Sequence, residues 1–473
     1  MLASPLFVPP RPESPEHAPR GREFLRLVRT NALKMWPRAA YEEEDAVQGF
    51  FGLSWTLLNN PDAIHRVLVE NSGNYRRTAA SIRILRPIVG DGLLLSEGEA
   101  WKHQRRTIAP ALAPRVIPIL ARHIAGAARE AVESLKAAGD TPLPLLFAMQ
   151  HLALEIAGRS MFSQEMGAFG AEMRALITEF GMRHAGARSR AGSAARAAAP
   201  CRAAARRRFR ARWMALIDRI IATRLKAPEA EQPRDLFDFL RAARDPETGA
   251  AFSPGQLRDQ VATMIVAGHE TTATALFWSL YLLASVGAEQ ERVAEEVRGV
   301  DLGPDAAAAA LARLTHTRAV VSEALRLYPP AFTLVREALE PDRAGDTAIR
   351  RRSVVMISPW VLHRHHRLWR EPDAFDPSRF LPDAPPPPRF AYMPFGAGPR
   401  VCVGAQFALA EATIVLATLI QAFEVELARS GLTILVGTQQ LEEKVDRARL
   451  ATVFDEYQRW LTLAADNRRT SGF

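Results

Sequence analysis

The chain has 473 residues, 48% of them hydrophobic and 24% charged, with 33 prolines, 28 glycines and two cysteines, Cys201 and Cys402. That balance excludes disordered, collagenous and disulfide-built proteins, and no run of about 18 uninterrupted apolar residues predicts a membrane-spanning helix. The net charge of +9 is local: nine arginines and no acid lie between Ala185 and Arg212, with no aromatic residue among them before Phe209, a pattern that does not indicate a nucleic-acid partner.

Residues 1–21 are proline-rich and read as an extended arm without the apolar core of a signal peptide, which with the sparse cysteines predicts a cytoplasmic location. A helix is expected from Glu23 to Trp36 and β-type residues over 47–60, with Asn60 capping a helix that Pro61 opens. Residues 83–98, rich in glycine and leucine, read as a loop over apolar surface. Helical patterns follow at 99–108, 115–138, 143–162 and 167–183. The Ala/Arg stretch 185–212 has helical propensity but no apolar face to bury. Residues 255–285 form a long apolar helix with few charges, which predicts a buried central element. Further helices are expected at 288–299, 305–312 and 316–328, the last ended by Tyr328-Pro329-Pro330. Short strand patterns lie within 331–358, loops from Trp360 to Pro399, and a helix from Val403 to Phe423. In the tail, Leu441, Val445, Val453, Tyr457 and Leu461 recur at helical spacing. No linker divides the chain, which reads as one mainly helical domain with small β-sheets over 1–473.

The chemistry centres on Phe395-Gly396-Ala397-Gly398-Pro399-Arg400-Val401-Cys402-Val403-Gly404. A cysteine after a glycine-rich loop and at the mouth of a helix is placed where negative charge is favoured, so its thiolate is stabilised. Gly398 and Gly404 permit close approach of a flat ligand, and Arg400 sets a cation near by. The run resembles the haem-ligand signature of the cytochrome P-450 family, Phe-x-x-Gly-x-Arg-x-Cys-x-Gly, at every fixed position. The alternative, a buried structural cysteine in a tight turn, leaves that coincidence unexplained.

Other segments extend the resemblance. Glu323 and Arg326 share a helical face among apolar neighbours, and with Arg379 they match the family's buried Glu–Arg–Arg core, which implies a structural brace for the cysteine loop. Ala267-Gly268-His269-Glu270-Thr271-Thr272 matches the family's oxygen-binding segment. Gly268 makes room for a diatomic, while Thr271 and Glu270 are implied to relay protons, with a local bulge in the helix. A zinc helix is ruled out there, because His-Glu-x-x-His needs a histidine where the chain has Ala273. Trp101 and Arg105, four residues apart, and Arg336 match residues assigned to haem propionates, with Arg400 a further contact. His363, His365 and His366 read as ordinary polar loop residues rather than metal ligands.

The resemblance spans about 60–425. It implies haem b between the long central helix and the helix after the cysteine loop, with Cys402 as the iron ligand. It implies monooxygenation by O2 of a lipophilic small molecule, hydroxylated or epoxidised. The expected pocket residues are Ile84, Leu93, Leu94, Ile265, Ala331 and Phe332, with Ala267 beside them. The chain ends about seventy residues after Cys402, so electrons are expected from separate proteins such as a ferredoxin and its reductase, steered by Lys102, Arg105, Arg106 and Arg115. A monomeric bacterial-type enzyme is expected. The rivals are a haem-thiolate sensor without turnover and a peroxide-driven peroxygenase. Two departures from the family stand out: the 185–212 segment lacks the apolar contacts of a substrate-channel roof, and the tail after Glu424 replaces the usual closing hairpin.

Overall fold

In the computed structural model, residues 6–50, 53–137, 145–181, 199–226, 228, 231–428 and 431–434 are described. The helices are α1 (Gly21–Thr30), α2 (Pro61–His65), α3 (Ala79–Val89), α4 (Gly98–Ile108), α5 (Ile117–Ala137), α6 (Leu145–Phe162), α7 (Gly167–Glu179), α8 (Ala199–Leu225), α9 (Leu236–Ala242), α10 (Pro254–Ser285), α11 (Gly287–Val297), α12 (Ala307–Ala310), α13 (Thr315–Leu327), α14 (Pro359–Leu362) and α15 (Ala405–Ala422). The strands are β1 (Asp45–Phe50), β2 (Leu53–Leu58), β3 (Tyr75–Arg76), β4 (Leu334–Ala338), β5 (Asp342–Ala344), β6 (Thr347–Ile349), β7 (Val354–Ile357), β8 (Val425–Ala428) and β9 (Gly431–Ile434). Five of them form one sheet in the order β1-β2-β7-β4-β3, with β2 and β7 parallel; β5-β6 and β8-β9 are separate hairpins.

Local chemistry sets several boundaries. Asn60 accepts the Asp62 and Ala63 backbone N–H groups and Pro61 occupies the first turn, as the sequence predicts. Ser253 and Gln256 form a reciprocal capping box ahead of the 32-residue α10. Four expectations are corrected. The presumed loop 83–98 begins as α3, because Thr78 caps its start and Ile88 and Val89 are buried; only from Gly90, at φ 64°, does the loop begin. The helix expected to Trp36 stops at Thr30 and a short 3-10 turn, Ala32–Met35, follows under an Asn31 cap. The described end of the Ala/Arg segment belongs to α8, whose apolar face starts at Phe209 and continues through Trp213, Leu216, Ile217 and Ile220, all buried. A closing hairpin, β8-β9, does follow Glu424. The helix expected over 441–461 and the residues 182–198 lie outside the described residues.

The position of α10 decides the architecture. Val261, Ala262 and Ile265 belong to a core cluster shared with α3, α4, α7, α8 and α9. Ala273 to Leu283 belong to a second cluster with α5, α6, α13 and α15. The helix therefore passes from one apolar core to the other, and the seam falls at 266–272. Helix α15 has the length and hydropathy to cross a membrane, the one such single helix among the described residues, but 61% of it is buried against its neighbours.

Candidate functional site

The cysteine loop is closed by its own backbone. The Cys402 N–H donates to the Phe395 carbonyl at 2.9 Å, and Val401 N–H donates to the Gly398 carbonyl at 3.0 Å. Gly398 sits at φ 71°, and a Cβ there would lie 2.0 Å from the Leu68 carbonyl oxygen, so no larger residue fits. A Cβ on Gly404, just before α15, or on Gly268 in α10 would meet nothing within 4 Å. Cys402 is exposed at the head of α15. Surrounding protein pushes its thiol up, while the Gly404 N–H and the Arg105 guanidinium pull it down. Arg105 Nη1 donates to the Val401 carbonyl at 2.8 Å, tying α4 to the residue before the cysteine.

Three further arginines converge here. Arg77, Arg336 and Arg400 are all depressed by burial, Arg77 to about 9 with Arg336 and Arg400 adding to its fall and Arg400 to that of Arg336, and the acid among them is Glu97. Arg400 pairs with Glu97, donates to the Ser96 carbonyl and lies 4.5 Å over the Trp101 ring. Arg336 donates to the Val335 carbonyl at 3.0 Å. Buried Nη1 of Arg77 has no hydrogen-bond partner among the described residues. Several desolvated cations around one carboxylate are a poor arrangement by themselves and a good one for added carboxylates, so the donor set fits the propionates of a haem. Arg77 and Glu97 are not legible in the sequence, since only the pairing of β3 with β4 brings Arg77 beside Arg336.

Across the seam, α10 opens one face. Ala267 and Thr271 are exposed, Met264 and Gly268 half-buried, while Ile265, His269 and every residue from Thr272 to Leu283 are buried. Positions 264, 267, 268 and 271 share a helical face, so the opening is a stripe in the middle of a core helix. The expected bulge is absent: α10 is regular α-helix, and the Thr271 hydroxyl donates to the Ala267 carbonyl at 2.6 Å. Glu270 turns toward α6, where Gln150 donates to it at 3.2 Å, and burial pushes its carboxyl up to about 7. His269 is buried with its Nδ1 3.4 Å from Glu270 and neither ring nitrogen hydrogen-bonded among the described residues, and desolvation takes it down to about 4.

The structure brings the Glu323–Arg326–Arg379 set together. Arg326 Nε and Nη2 each donate to Glu323 at 2.6 Å, and Arg326 also donates to the carbonyls of His363, Pro372 and Ala374. Arg379 Nε lies 3.6 Å from Glu323, whose other bond comes from the Asp376 N–H. Both Glu323 and Arg326 are fully buried.

Other expectations are adjusted. Leu93 and Ile265 are packed in the core, Ile84, Leu94 and Phe332 are half-buried, and Ala331 is exposed. His363 and His365 are buried rather than loop-exposed; His365 Nε2 lies 2.9 Å from the Glu43 carbonyl. Among the basic residues expected to steer a donor, Lys102 pairs with Glu99 and Arg106 with Asp245 and Glu247, which leaves Arg115 exposed.

A family model described as Cytochrome P450 matches residues 52–438. The chain is similar to "Cyclooctatin synthase" of Streptomyces melanosporofaciens, with 35% identity over 76% of this chain and 78% of the relative. It is also similar to "Cyclooctat-9-en-7-ol 5-monooxygenase" of the same organism, with 32% identity over 71% of this chain and 72% of that one. Among solved structures, the crystal structure of cytochrome P450DA heme domain shares its fold, with a TM-score of 0.70, 24% identity, and coverage of 84% of this chain and 88% of that one.

Proposed function

The chain belongs to the cytochrome P450 family, and from that premise we propose that Cys402 ligates haem iron and that the substrate is a carbocyclic alkene or alkenol. The protein is a P450 monooxygenase that binds haem b through a cysteine thiolate. Thiolate-ligated haem supplies O2 binding and O–O cleavage.

The residues of this chain do the rest. Gly404 and Gly268 leave open space that a haem would use, while Gly398 lets the cysteine loop pack against the Leu68 backbone. Arg77, Arg336 and Arg400, with Trp101 beneath Arg400, would hold the propionates, and Arg105 holds the Val401 carbonyl next to Cys402. With its carboxyl raised to about 7, Glu270 can hold or release a proton near neutrality, and Thr271 Oγ1 is the hydroxyl that would hand protons on at the open stripe. Electrons come from a separate redox protein, and the enzyme acts as a monomer.

The observation that carries this reading is the exposure of Cys402 at the head of α15 and of Ala267 and Thr271 in the middle of the core helix α10. The acid–alcohol pair, Glu270 and Thr271, favours O2 over peroxide as oxidant. The substrate class rests on one relative, a 5-monooxygenase of a cyclic alkenol. The test is a spectral screen of ferric protein with carbocyclic alkenols, fatty acids and small aromatics. Product is then assayed with O2 and a reduced ferredoxin, in parallel with peroxide alone. Alkenols are expected to shift the Soret band at the lowest concentrations and to yield an oxygenated product. Binding of fatty acids alone would refute the substrate class, and turnover with peroxide but none with O2 and reduced ferredoxin would refute the oxidant.

A further inference from the structure

The turn of α10 that carries Thr271 is gripped from two sides. Successive residues on a helix are turned by about 100°, and here three of them meet different surroundings. Glu270 faces Gln150 on α6, Thr271 lies on the open stripe, and Thr272 faces α15, where its hydroxyl donates to Glu411 Oε2 at 3.2 Å. Thr271 itself bonds back to its own helix and fixes nothing relative to a neighbour.

Glu411 is the one ionisable residue of α15. It is 2% exposed, among buried Ala410, Ala412, Ile414 and Val415. Among the described residues no cation offsets its burial, which pushes its carboxyl up to about 8, and the Thr272 hydroxyl draws it down. A lone carboxyl in an apolar helix costs several kcal/mol if charged and is held neutral instead. An apolar residue would pack α15 equally well. What the carboxyl adds is a directional bond between the helix that follows Cys402 and the helix that carries Thr271.

We infer that Glu411 is a positioning residue for oxygen activation: through Thr272 it fixes the rotation of the 267–272 turn, and so the place of Thr271 on the open stripe, relative to the cysteine-bearing side. The inference rests on the monooxygenase reading above. Misplacement of a reacting group by about 1 Å lowers rates by as much as 10²-fold, so the effect belongs in productive use of oxygen rather than in haem binding.

The experiment uses the haem-loaded protein and three single variants, Glu411→Gln, Glu411→Leu and Thr272→Val, with the Glu411→Leu/Thr272→Val double. Two quantities are read: product formed per electron consumed, and the C–O stretching band of the ferrous carbon monoxide complex, which senses the groups above the haem without turnover. Thr272→Val and Glu411→Leu are expected to lower product per electron by about tenfold and to shift or broaden the C–O band. Glu411→Gln, whose amide oxygen still accepts from Thr272, is expected to leave both near wild type. The double variant is expected to match the worse single one, because both remove one interaction. The inference is overturned if Thr272→Val leaves both readouts unchanged, if Glu411→Gln falls as far as Glu411→Leu, or if the double variant shows additive losses. Should Glu411→Leu fail to fold, Thr272→Val and Glu411→Gln decide alone. Absence of product from wild type would sink the monooxygenase reading, while the C–O band would still report on the Glu411–Thr272 clasp.

Discussion

The imidazole of His363 accepts the backbone N–H of Met393 on Nε2 at 2.9 Å. Its other nitrogen, Nδ1, lies 3.0 Å from the Arg326 carbonyl and must donate to it, so the ring is neutral with its proton on Nδ1. One buried side chain thus joins the end of α13 to the segment entering the cysteine loop.

That role sets a pH dependence. Burial takes His363 down to about 3, so the folded state binds fewer protons than the unfolded state below the ordinary histidine value. Stability contributed by the neutral ring is present above about pH 6.5 and is lost as pH falls toward 3. Between pH 6.5 and 5 the loss is about 2 kcal/mol at 1.36 kcal/mol per unit. His269, also depressed, acts in the same direction in every variant. Thermal unfolding at pH 7 and pH 5 checks this: His363→Leu is expected to be less stable at pH 7 but to lose less on acidification, and equal slopes would refute it.

Glu270 gives the opposite sign. Its carboxyl is raised to about 7, so the folded protein holds a proton that the unfolded chain releases above about pH 4.5. Stability therefore falls as pH rises from about 4.5 to 7 and stays lower above it. Glu270→Gln is expected to be more stable than wild type at pH 8, by up to about 3 kcal/mol, while losing most oxygen-supported product formation. Denaturant titration at pH 5 and pH 8 measures the first effect; a variant no more stable at pH 8 would show that the carboxyl is not held protonated.

Arg326 satisfies two carboxylate oxygens and three carbonyls with no exposed surface. Removing it leaves the buried Glu323 with only the more distant Arg379 and the Asp376 N–H, at a cost of about 3–5 kcal/mol. Lysine lacks the planar fork that reaches these acceptors, so Arg326→Lys is expected to fail nearly as badly as Arg326→Ala. Expression yield of haem-loaded protein and its ferrous carbon monoxide spectrum are the measurements, and a Lys variant with a normal thiolate spectrum would count against the brace.

Arg77 separates haem affinity from folding. Its Nη1 is buried beside Arg336 and Arg400 without a partner among the described residues. Arg77→Leu is expected to release haem to an apoprotein acceptor about tenfold faster, the loss of one charge-assisted bond. The haem-free protein is expected to be as stable as wild type or more so, because a desolvated cation has gone. Unchanged release would place Arg77 outside the propionate site.

Much of the site was legible from residue types at short range. The Phe395–Gly404 spacing, the Glu323–Arg326 pair and the Ala267–Thr271 run each lie within one loop or helix, where chain geometry fixes which side chains are neighbours. The start of α3 was not, because Gly90, Gly92 and the leucines after them masked a cap at Thr78. Nor were the buried histidines, since a polar residue in a loop looks the same whether it is solvated or bonded to a distant carbonyl.

What the chain alone determined was chemistry carried by adjacent residues: a cysteine before a helix, a threonine and an acid side by side, a glutamate and an arginine one turn apart. What the tertiary structure decided was every relation across elements. Arg77 meets Arg336 through β3 and β4, Thr272 meets Glu411 through α10 and α15, and Glu270 turns to Gln150 on α6. Those contacts depend on how whole helices rotate and pack, a balance of apolar burial summed over many residues, and no local spacing encodes that sum.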